Sequence, residues 1–97
     1  GKYAEFHEEG MFTCVACNAE LFSSATKFDS HTGWPSFTEP ANLKNIKLQE
    51  DTSHGIKRTE ILCSHCGSHL GHLFDDGPEG EKRYCINSIC LNFKKNS

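Results

Sequence analysis

Short apolar runs alternate with clusters of turn-forming residues along most of this chain. The segment MFTCVACNAELFSS, for example, opens with a strand-like run and carries a second apolar patch at Leu21 and Phe22. Little of the sequence sustains the helical period of about 3.6 residues, whereas short runs bounded by turns are typical of strands. We therefore predict a mainly β fold built from short strands.

Three later segments refine this prediction. DSHTGWPSFTEP is dense in turn formers, and Pro35 and Pro40 break any helix, so we interpret it as a structured loop. PANLKNIKLQED has apolar residues that suit either a helical turn or a strand. RYCINSICLNF is the longest strand-like segment. As one strand it would place Cys85 and Cys90 on opposite faces, roughly 16 Å apart and too far for a disulfide.

Composition narrows the class of protein. With 97 residues, 36% of them hydrophobic and 24% charged, the chain fits one globular domain spanning residues 1–97. The net charge is −3 and the ten Lys and Arg residues are scattered, which argues against nucleic-acid binding. No apolar run approaches the roughly 20 residues that span a bilayer, and GKYAEFHEEG lacks the apolar core of a signal peptide. We expect a monomer in the reducing cytoplasm.

Four of the six cysteines form two C-x-x-C pairs, CVAC and CSHC. Two such turns can close a tetrahedral shell around one ion, for which zinc is the usual metal and iron the competitor. Asn18 and Gly67, which follow the pairs, tolerate the positive φ of a tight turn. Disulfides or a redox-active pair are the alternatives. We predict one structural zinc ion, held by Cys14, Cys17, Cys63 and Cys66.

The two remaining cysteines differ in their surroundings. Cys85 has Arg83 and Asn87 as neighbours on the same face of the expected strand, and a guanidinium beside a thiol stabilises the thiolate. Cys90 lies between two aliphatic residues, and we interpret it as an inert core residue. We therefore expect Cys85 to be the reactive cysteine.

Histidines and a tryptophan complete the candidate chemistry. The segment GSHLGHLF contains His69 and His72, whose spacing of three does not place them on one face of a regular strand. A turn or loop would let both reach one pocket, and solvated histidines are the alternative. The single tryptophan, Trp34, lies in a Gly-Trp-Pro turn, which can present an indole to a methyl or cationic group of a ligand.

Together these segments resemble the methionine sulfoxide reductase B family. The resemblance runs from about Gly10 to Phe93 and rests on three signatures that occur in order, GWPSF, HLGHLFDDGP and RYCINS. It implies two antiparallel β-sheets and reduction of the R epimer of methionine sulfoxide, free or within proteins, by an enzyme dedicated to that epimer. In this resemblance Cys85 aligns with the family's nucleophile.

The resemblance also implies roles for the surrounding residues. The Cys85 thiolate would attack the sulfoxide sulfur while His69 or His72 delivers a proton to the oxygen, leaving methionine and a cysteine sulfenic acid. Arg83 would favour the thiolate, and Asn87 would help to position the oxygen or a water molecule. The indole of the Gly-Trp-Pro turn would hold the S-methyl group of the substrate.

One position departs from the family pattern. Many members carry a resolving cysteine two residues before the tryptophan, where this chain has Thr32. We therefore expect a one-cysteine cycle, in which thioredoxin or a small thiol reduces the Cys85 sulfenic acid. The alternatives to this assignment are a zinc-ribbon-like binding module without catalysis and a different thiol enzyme such as a peroxidase.

Overall fold

The computed structural model describes residues 8–29, 33–52, 55 and 57–95. The strands within these residues are β1 (Gly10–Cys14), β2 (Glu20–Ser23), β3 (Lys27–Phe28), β4 (Ser36–Phe37), β5 (Ile46–Asp51), β6 (Arg58–Cys63), β7 (His69–Phe74), β8 (Arg83–Ile86) and β9 (Leu91–Lys95). Helical structure in the same ranges consists of short 3-10 turns, and none of it is long and apolar enough to cross a membrane.

The strands of the described ranges form two sheets. The smaller sheet has the order β2-β1-β9, and the larger sheet has the order β3-β4-β8-β7-β6-β5. All the strand pairings that the structure shows are antiparallel. The prediction of a mainly β fold with two antiparallel sheets is therefore confirmed.

An aromatic cluster, consisting of Phe12, Phe22 and Phe37, joins the two sheets. Phe12 and Phe22 belong to the smaller sheet and Phe37 to the larger, and all three rings are fully buried. Phe37 stacks on Phe22 with 4.5 Å between ring centroids and meets Phe12 edge-on at 5.2 Å. Because full burial of one such side chain contributes about 1.5–3 kcal/mol, this cluster is a main source of cohesion between the sheets.

Two ambiguous segments adopt short regular elements. In PANLKNIKLQED a 3-10 turn, Leu43–Asn45, begins after Asn42, whose side chain accepts a hydrogen bond from the backbone N–H of Lys44 at 3.0 Å. Strand β5 follows at once, so both interpretations of this segment apply to part of it. In DSHTGWPSFTEP the structure adds the two-residue strand β4 to the predicted loop.

The single strand predicted for RYCINSICLNF is wrong, because the chain leaves the larger sheet after Ile86. A 3-10 turn, Ser88–Cys90, follows β8, and β9 then joins the smaller sheet. The side-chain oxygen of Asn87 accepts a hydrogen bond from the backbone N–H of Ile89 at 3.2 Å, and this local bond competes with strand pairing. The faces and the separation assigned to the two cysteines of this segment therefore do not apply.

An irregularity in β7 changes which of its side chains share a face. The register with β6 shifts between Ile61 and Leu62, and Leu70 of β7 is the extra, unpaired residue of a β-bulge. The bulge interrupts the strict alternation of side chains along β7. As a result His69 and His72, although three residues apart on a strand, meet edge to face with 5.2 Å between ring centroids.

Candidate active site

One face of the larger sheet gathers most of the candidate chemistry. Residues directly opposite each other in antiparallel strands project from the same face. The opposed pairs are His72–Cys85, Phe74–Arg83, Asp51–Arg58 and Glu60–His72. Alternate residues of the same strands, such as Ile61 and Ile86, are fully buried in the core. The sheet therefore separates a polar outer face from an apolar inner face.

A pocket of about 250 Å³ opens on the outer face. Its lining residues are Trp34, Arg58, His72, Phe74, Arg83 and Cys85, and we call it the Cys85 pocket. Cys85 is 9% exposed whereas Trp34 is 44% exposed, so the thiol is sheltered and the indole forms part of the rim. A pocket of this size suits one side chain better than a large cofactor.

Arg83 is fixed as a cation beside the thiol. Its Nε and Nη2 donate hydrogen bonds to the two carboxylate oxygens of Asp76 at 2.8 and 3.3 Å, and its guanidinium lies 4.2 Å from the ring centroid of Phe74. The hydrogen bond with Asp76 is the main cause that raises the pKa of Arg83, and the charge and side chain of Cys85 add to it. The same hydrogen bond lowers the pKa of Asp76.

The two histidines have different acidic partners. His72 Nε2 lies 3.1 Å from Asp51 Oδ2, and the two side chains are each 18% exposed. His69 Nδ1 lies 2.5 Å from Glu60 Oε2, and the His69 side chain is 47% exposed. Of these two histidines, His72 lines the Cys85 pocket, whereas His69 contacts the His72 ring edge to face.

The structure brings most of the predicted site residues together. Those that line the pocket are Trp34, His72, Arg83 and Cys85, with His69 one ring further away. Asn87 has a different place: its side-chain oxygen caps the 3-10 turn after β8, and its backbone N–H donates to the carbonyl oxygen of Leu70 at 2.9 Å. Thr32 lies outside the described residues.

Several residues of the site were not predicted from the sequence. They are Arg58 and Phe74 in the pocket wall, Asp51 and Glu60 beside the histidines, and Asp76 on Arg83. Phe74 and Asp76 lie within the HLGHLFDDGP signature and could have been singled out there. The alternation in β6 places Arg58 and Glu60 on one face, which is a weaker signal. Asp51 could not be found without the register of β5.

The four cysteines of the C-x-x-C pairs form one group, which we call the cysteine cluster. Their sulfur atoms all lie within 4.8 Å of one another, with 3.6 Å between Cys14 and Cys66 and 3.5 Å between Cys17 and Cys63. Four sulfurs bound at about 2.3 Å to one tetrahedral ion would lie about 3.8 Å apart. All six cysteines are free, so the alternative of disulfides does not hold in this structure. The cluster has the spacing of a tetrahedral thiolate site.

Two similar turns present the cysteine pairs. Asn18 and Gly67 have φ values of 67° and 77°, which confirms the positive φ predicted after each pair. The backbone N–H of each donates to the carbonyl oxygen of the first cysteine of its pair, at 2.7 and 2.8 Å. The hydroxyl of Ser68, 3.1 Å from Cys66 Sγ, is the main cause that lowers the pKa of Cys66 to about 6. This favours the thiolate, which is the form that binds a metal.

Comparison with known protein sequences shows a match along almost the whole chain. Residues 1–95 match the SelR domain family. The chain is 59% identical over 88 residues to the peptide methionine sulfoxide reductase MsrB of Methanosarcina barkeri, a match that covers 90% of this chain. It is 55% identical over 94 residues to the protein of the same name from Thiobacillus denitrificans, a match that covers 96% of this chain and 71% of that protein.

The chain is shorter than these relatives. It spans 62% of the length of the Methanosarcina barkeri protein and 64% of the length of the Methanosarcina mazei protein of the same name, to which it is 57% identical.

Comparison with solved structures supports the fold. The crystal structure of the Mis18 Yippee-like domain superposes with a TM-score of 0.74, covering 93% of this chain and 99% of that chain. The two sequences are 14% identical, so this likeness concerns the fold alone.

Proposed function

This chain belongs to the SelR domain family of peptide methionine sulfoxide reductases, and from this premise we propose that it reduces the R epimer of methionine sulfoxide. The observation that carries the proposal is the place of Cys85. Its thiol lies in a small pocket, directly opposite His72 and beside the Arg83 cation. A nucleophile, an acid and a fixed positive charge are the groups that this reaction needs.

Cys85 is the nucleophile. A thiolate attacks far faster than a thiol, and the guanidinium of Arg83 favours the anion. Asp76 and Phe74 hold that guanidinium from two sides, so it cannot turn away from the sulfur without losing both contacts. The sulfur therefore meets the substrate from a fixed position in the pocket.

His72 supplies the proton that the sulfoxide oxygen needs. The oxygen leaves sulfur readily only when it is protonated, and His72 is the histidine of the pocket, a residue type that commonly serves as a general acid. In the net step the oxygen passes from the substrate sulfur to Cys85. The sulfoxide is reduced to the thioether, and the thiolate, with the proton from His72, becomes a sulfenic acid.

Trp34 and Phe74 provide the apolar surface of the pocket. The methyl group of the substrate packs against the Trp34 ring at the rim while the sulfoxide oxygen points towards His72. Because the oxygen and the methyl group occupy distinct places, one epimer places its sulfur in line with Cys85 and the other does not. Asn87 contributes by holding the end of β8, the strand that carries the nucleophile.

We propose a one-cysteine cycle for the return to the thiol. Two equivalents of thiol, from thioredoxin or a small thiol in a reducing compartment, convert the sulfenic acid to the thiol with release of water and formation of a disulfide. The surroundings of Cys90 support this cycle, because they favour its thiol over the thiolate that would attack a sulfenic acid. Its Sγ donates to the carbonyl oxygen of His69 at 3.3 Å, and burial raises its pKa. The remaining four cysteines belong to the cysteine cluster.

We propose zinc as the metal of the cysteine cluster. An all-thiolate tetrahedral set is typical of structural zinc, and four protein ligands leave no position for a substrate. The ion would connect the turn after β1 to the turn after β6, which belong to different sheets. Its contribution is to the stability of the fold, and the reaction takes place at Cys85.

A turnover assay tests the proposed function. We expect wild type to reduce the R epimer with dithiothreitol as reductant, and to leave the S epimer and hydrogen peroxide essentially unreacted. Cys85→Ser should lose at least about 1,000-fold in kcat, because the nucleophile is removed. Cys90→Ser, the matched control, should retain wild-type turnover. Wild type that is silent towards the R epimer but binds nucleic acid in a salt-dependent way would favour a binding module instead.

Mass spectrometry tests the one-cysteine cycle separately. Enzyme treated with the R sulfoxide and no reductant should carry a sulfenic acid on Cys85, which dimedone traps as an adduct. A disulfide between Cys85 and Cys90 in the same sample would contradict the one-cysteine cycle and leave the reductase assignment intact.

A further inference from the structure

A carboxylate lies within hydrogen-bonding distance of His72, the proposed acid. Asp51, the last residue of β5, places Oδ2 at 3.1 Å from His72 Nε2, and both side chains are largely shielded from solvent. An ionised carboxylate has no hydrogen to donate, so Nε2 carries the hydrogen and Asp51 accepts it. This bond occupies Nε2, so Nδ1 is the ring nitrogen that remains to exchange a proton.

Arg58 extends this arrangement to three residues. It lies directly opposite Asp51 in the sheet, and its Nη2 is 3.6 Å from the same carboxylate oxygen. The Nε of Arg58 is buried and has no hydrogen-bond partner among the described residues, although its side chain lines the Cys85 pocket. The positive charge beside Oδ2 favours the ionised form of Asp51. Arg58 therefore supports the carboxylate that holds His72.

Charged and titratable groups surround His72 from every strand packed against it. They are Asp51 from β5, Arg58 and Glu60 from β6, His69 from β7, and Arg83 and Cys85 from β8. Of these, Asp51 makes the hydrogen bond to the His72 ring that the structure shows, and Glu60 is bonded to His69 instead. The His69 side chain is more exposed, so solvent screens the Glu60 pair more strongly.

We propose that Asp51 is a positioning residue of the reductase reaction: it fixes the His72 ring with the hydrogen on Nε2 and makes Nδ1 the atom that delivers the proton to the sulfoxide oxygen. The inference rests on the proposed function, in which His72 is the acid. The proton passes from Nδ1 to the oxygen, the sulfenic acid retains it, and solvent returns a proton to Nδ1. A carboxylate that orients an imidazole through one nitrogen, while the other exchanges protons, is a recurrent arrangement in enzymes.

Substitution of Asp51 tests the proposal, because a positioning residue should affect kcat much more than KM. Asp51→Asn keeps the size of the side chain and removes its charge, so kcat for the R sulfoxide should fall about 10- to 100-fold. KM should change less than about threefold, because no contact with the substrate is removed. Asp51→Glu, which retains a carboxylate, should recover part of the loss. Glu50→Gln is the matched control, since Glu50 is 58% exposed and pairs with the exposed Lys57, and its kcat should equal that of wild type.

Two further measurements distinguish positioning from a general structural effect. In a His72→Asn background, Asp51→Asn should lower kcat little further, because the carboxylate acts through the imidazole. Nitrogen-15 NMR of wild type should show neutral His72 with its hydrogen on Nε2, and Asp51→Asn should show a mixture of both tautomers. The NMR readout on wild type needs neither turnover nor a stable variant.

Three outcomes would overturn the inference: undiminished kcat in Asp51→Asn, fully additive losses in the double variant, or a neutral His72 that carries its hydrogen on Nδ1 in wild type. Failure of the proposed function looks different. In that case wild type does not reduce the R epimer at all, while the tautomer of His72 still reports whether Asp51 holds the ring.

Discussion

Cys85 and Cys90 are five positions apart in the sequence, but different groups surround their thiols. Cys85 shares its pocket with the Arg83 guanidinium, which is held in place by Asp76. For Cys90, burial is the largest cause that raises the pKa above its ordinary value of 9.0, and the charge of Cys14 adds to it. Cys85 is the more buried of the two thiols, so the difference in reactivity that we expect comes from the charged groups beside them.

Alkylation should distinguish these two thiols. At pH 7 we expect iodoacetamide to modify Cys85 of the metal-loaded protein while Cys90 remains a protonated, unreactive thiol. Because the pKa of Cys90 is raised above the ordinary value for a thiol, its modification should need a higher pH than that of an ordinary exposed thiol. Peptide mapping by mass spectrometry after short exposures measures both rates. Cys85→Ser should show almost no modification at pH 7, and rapid labelling of Cys90 in that variant would contradict the expectation.

The contact between β7 and β8 places the proposed acid beside the proposed nucleophile, and Gly71 allows this contact. A Cβ atom at this position would lie 1.9 Å from the carbonyl oxygen of Cys85, far inside van der Waals contact. Gly71 pairs with Ile86, next to the pair His72–Cys85, so any separation of the strands there would also separate the two reacting groups. Only glycine permits the observed approach of the two backbones.

Gly71→Ala should therefore damage both stability and activity. We expect the free energy of unfolding to fall by about 1–3 kcal/mol, equivalent to a Tm lower by roughly 4–24 °C for a chain of this size. We expect kcat to fall by at least about tenfold, because His72 and Cys85 move apart. Thermal unfolding and the R-sulfoxide assay measure the two effects.

Gly80→Ala is the matched control for this experiment. Gly80 has φ of 81° but no atom within 4 Å of an added Cβ, so alanine there costs only the left-handed strain of about 1–2 kcal/mol. Its kcat should stay at the wild-type value. Equal kcat in Gly71→Ala and Gly80→Ala would show that close approach at Gly71 is not required.

The two C-x-x-C turns form the second connection between the sheets. Cys14 ends β1 in the smaller sheet, and Cys63 ends β6 in the larger sheet, so the proposed ion would tie strands that do not pair with each other. A chain of 97 residues has a small core, and a metal that binds only the folded state adds directly to its stability.

Loss of one cluster thiol should release the metal and destabilise the fold. Purified wild type should contain one zinc per chain by elemental analysis. Cys14→Ser should contain far less, and its free energy of unfolding should be lower by at least about 3 kcal/mol. Cys90→Ser, which removes a sulfur outside the cluster, should keep both the zinc and the stability. Full zinc content in Cys14→Ser would show that Cys14 is not a ligand.

The aromatic cluster connects the same two sheets through apolar contacts. Phe37 lies between Phe12 and Phe22, and it belongs to β4, which pairs with the strand of Cys85. Packing between the sheets and the position of the candidate site therefore depend on the same short strand.

Phe37→Ala should destabilise the protein by about 3–5 kcal/mol, because it leaves a cavity between the two sheets. Urea unfolding measures the change. Ile89→Ala is the control, since Ile89 is 79% exposed, and it should change the free energy of unfolding by less than about 0.5 kcal/mol. Similar values for the two variants would contradict a cohesive role for the aromatic cluster.

Features that depend on local sequence could be predicted. The C-x-x-C turns need only a few neighbouring residues, including Asn18 and Gly67 with their positive φ, so their geometry was foreseen. Short apolar runs between clusters of turn formers likewise indicated the mainly β fold, which the two sheets confirm. The placement of Arg83 beside Cys85 followed from their spacing of two on one strand, and the structure lines one pocket with both.

Features that depend on the pairing of distant strands could not be predicted. Asp51 reaches His72 only because β5, β6 and β7 pair in a particular register. The bulge at Leu70 requires a partner strand with one residue fewer, which the sequence of β7 alone does not reveal. The end of β8 combined a local cap by Asn87 with a change of sheet, and strand-like apolar residues on both sides of that break gave the segment the pattern of one strand.

The two-sided larger sheet has a consequence for how the gene can change in length. Inserting or deleting a single codon within β6 or β8 would turn every following side chain of that strand to the opposite side of the sheet. The polar groups of the outer face would then be buried, and the apolar side chains of the core would be exposed. We therefore expect such changes in length to be tolerated mainly in the connections, such as residues 77–82, where they leave Asp76 in place and both sides of the strands in phase.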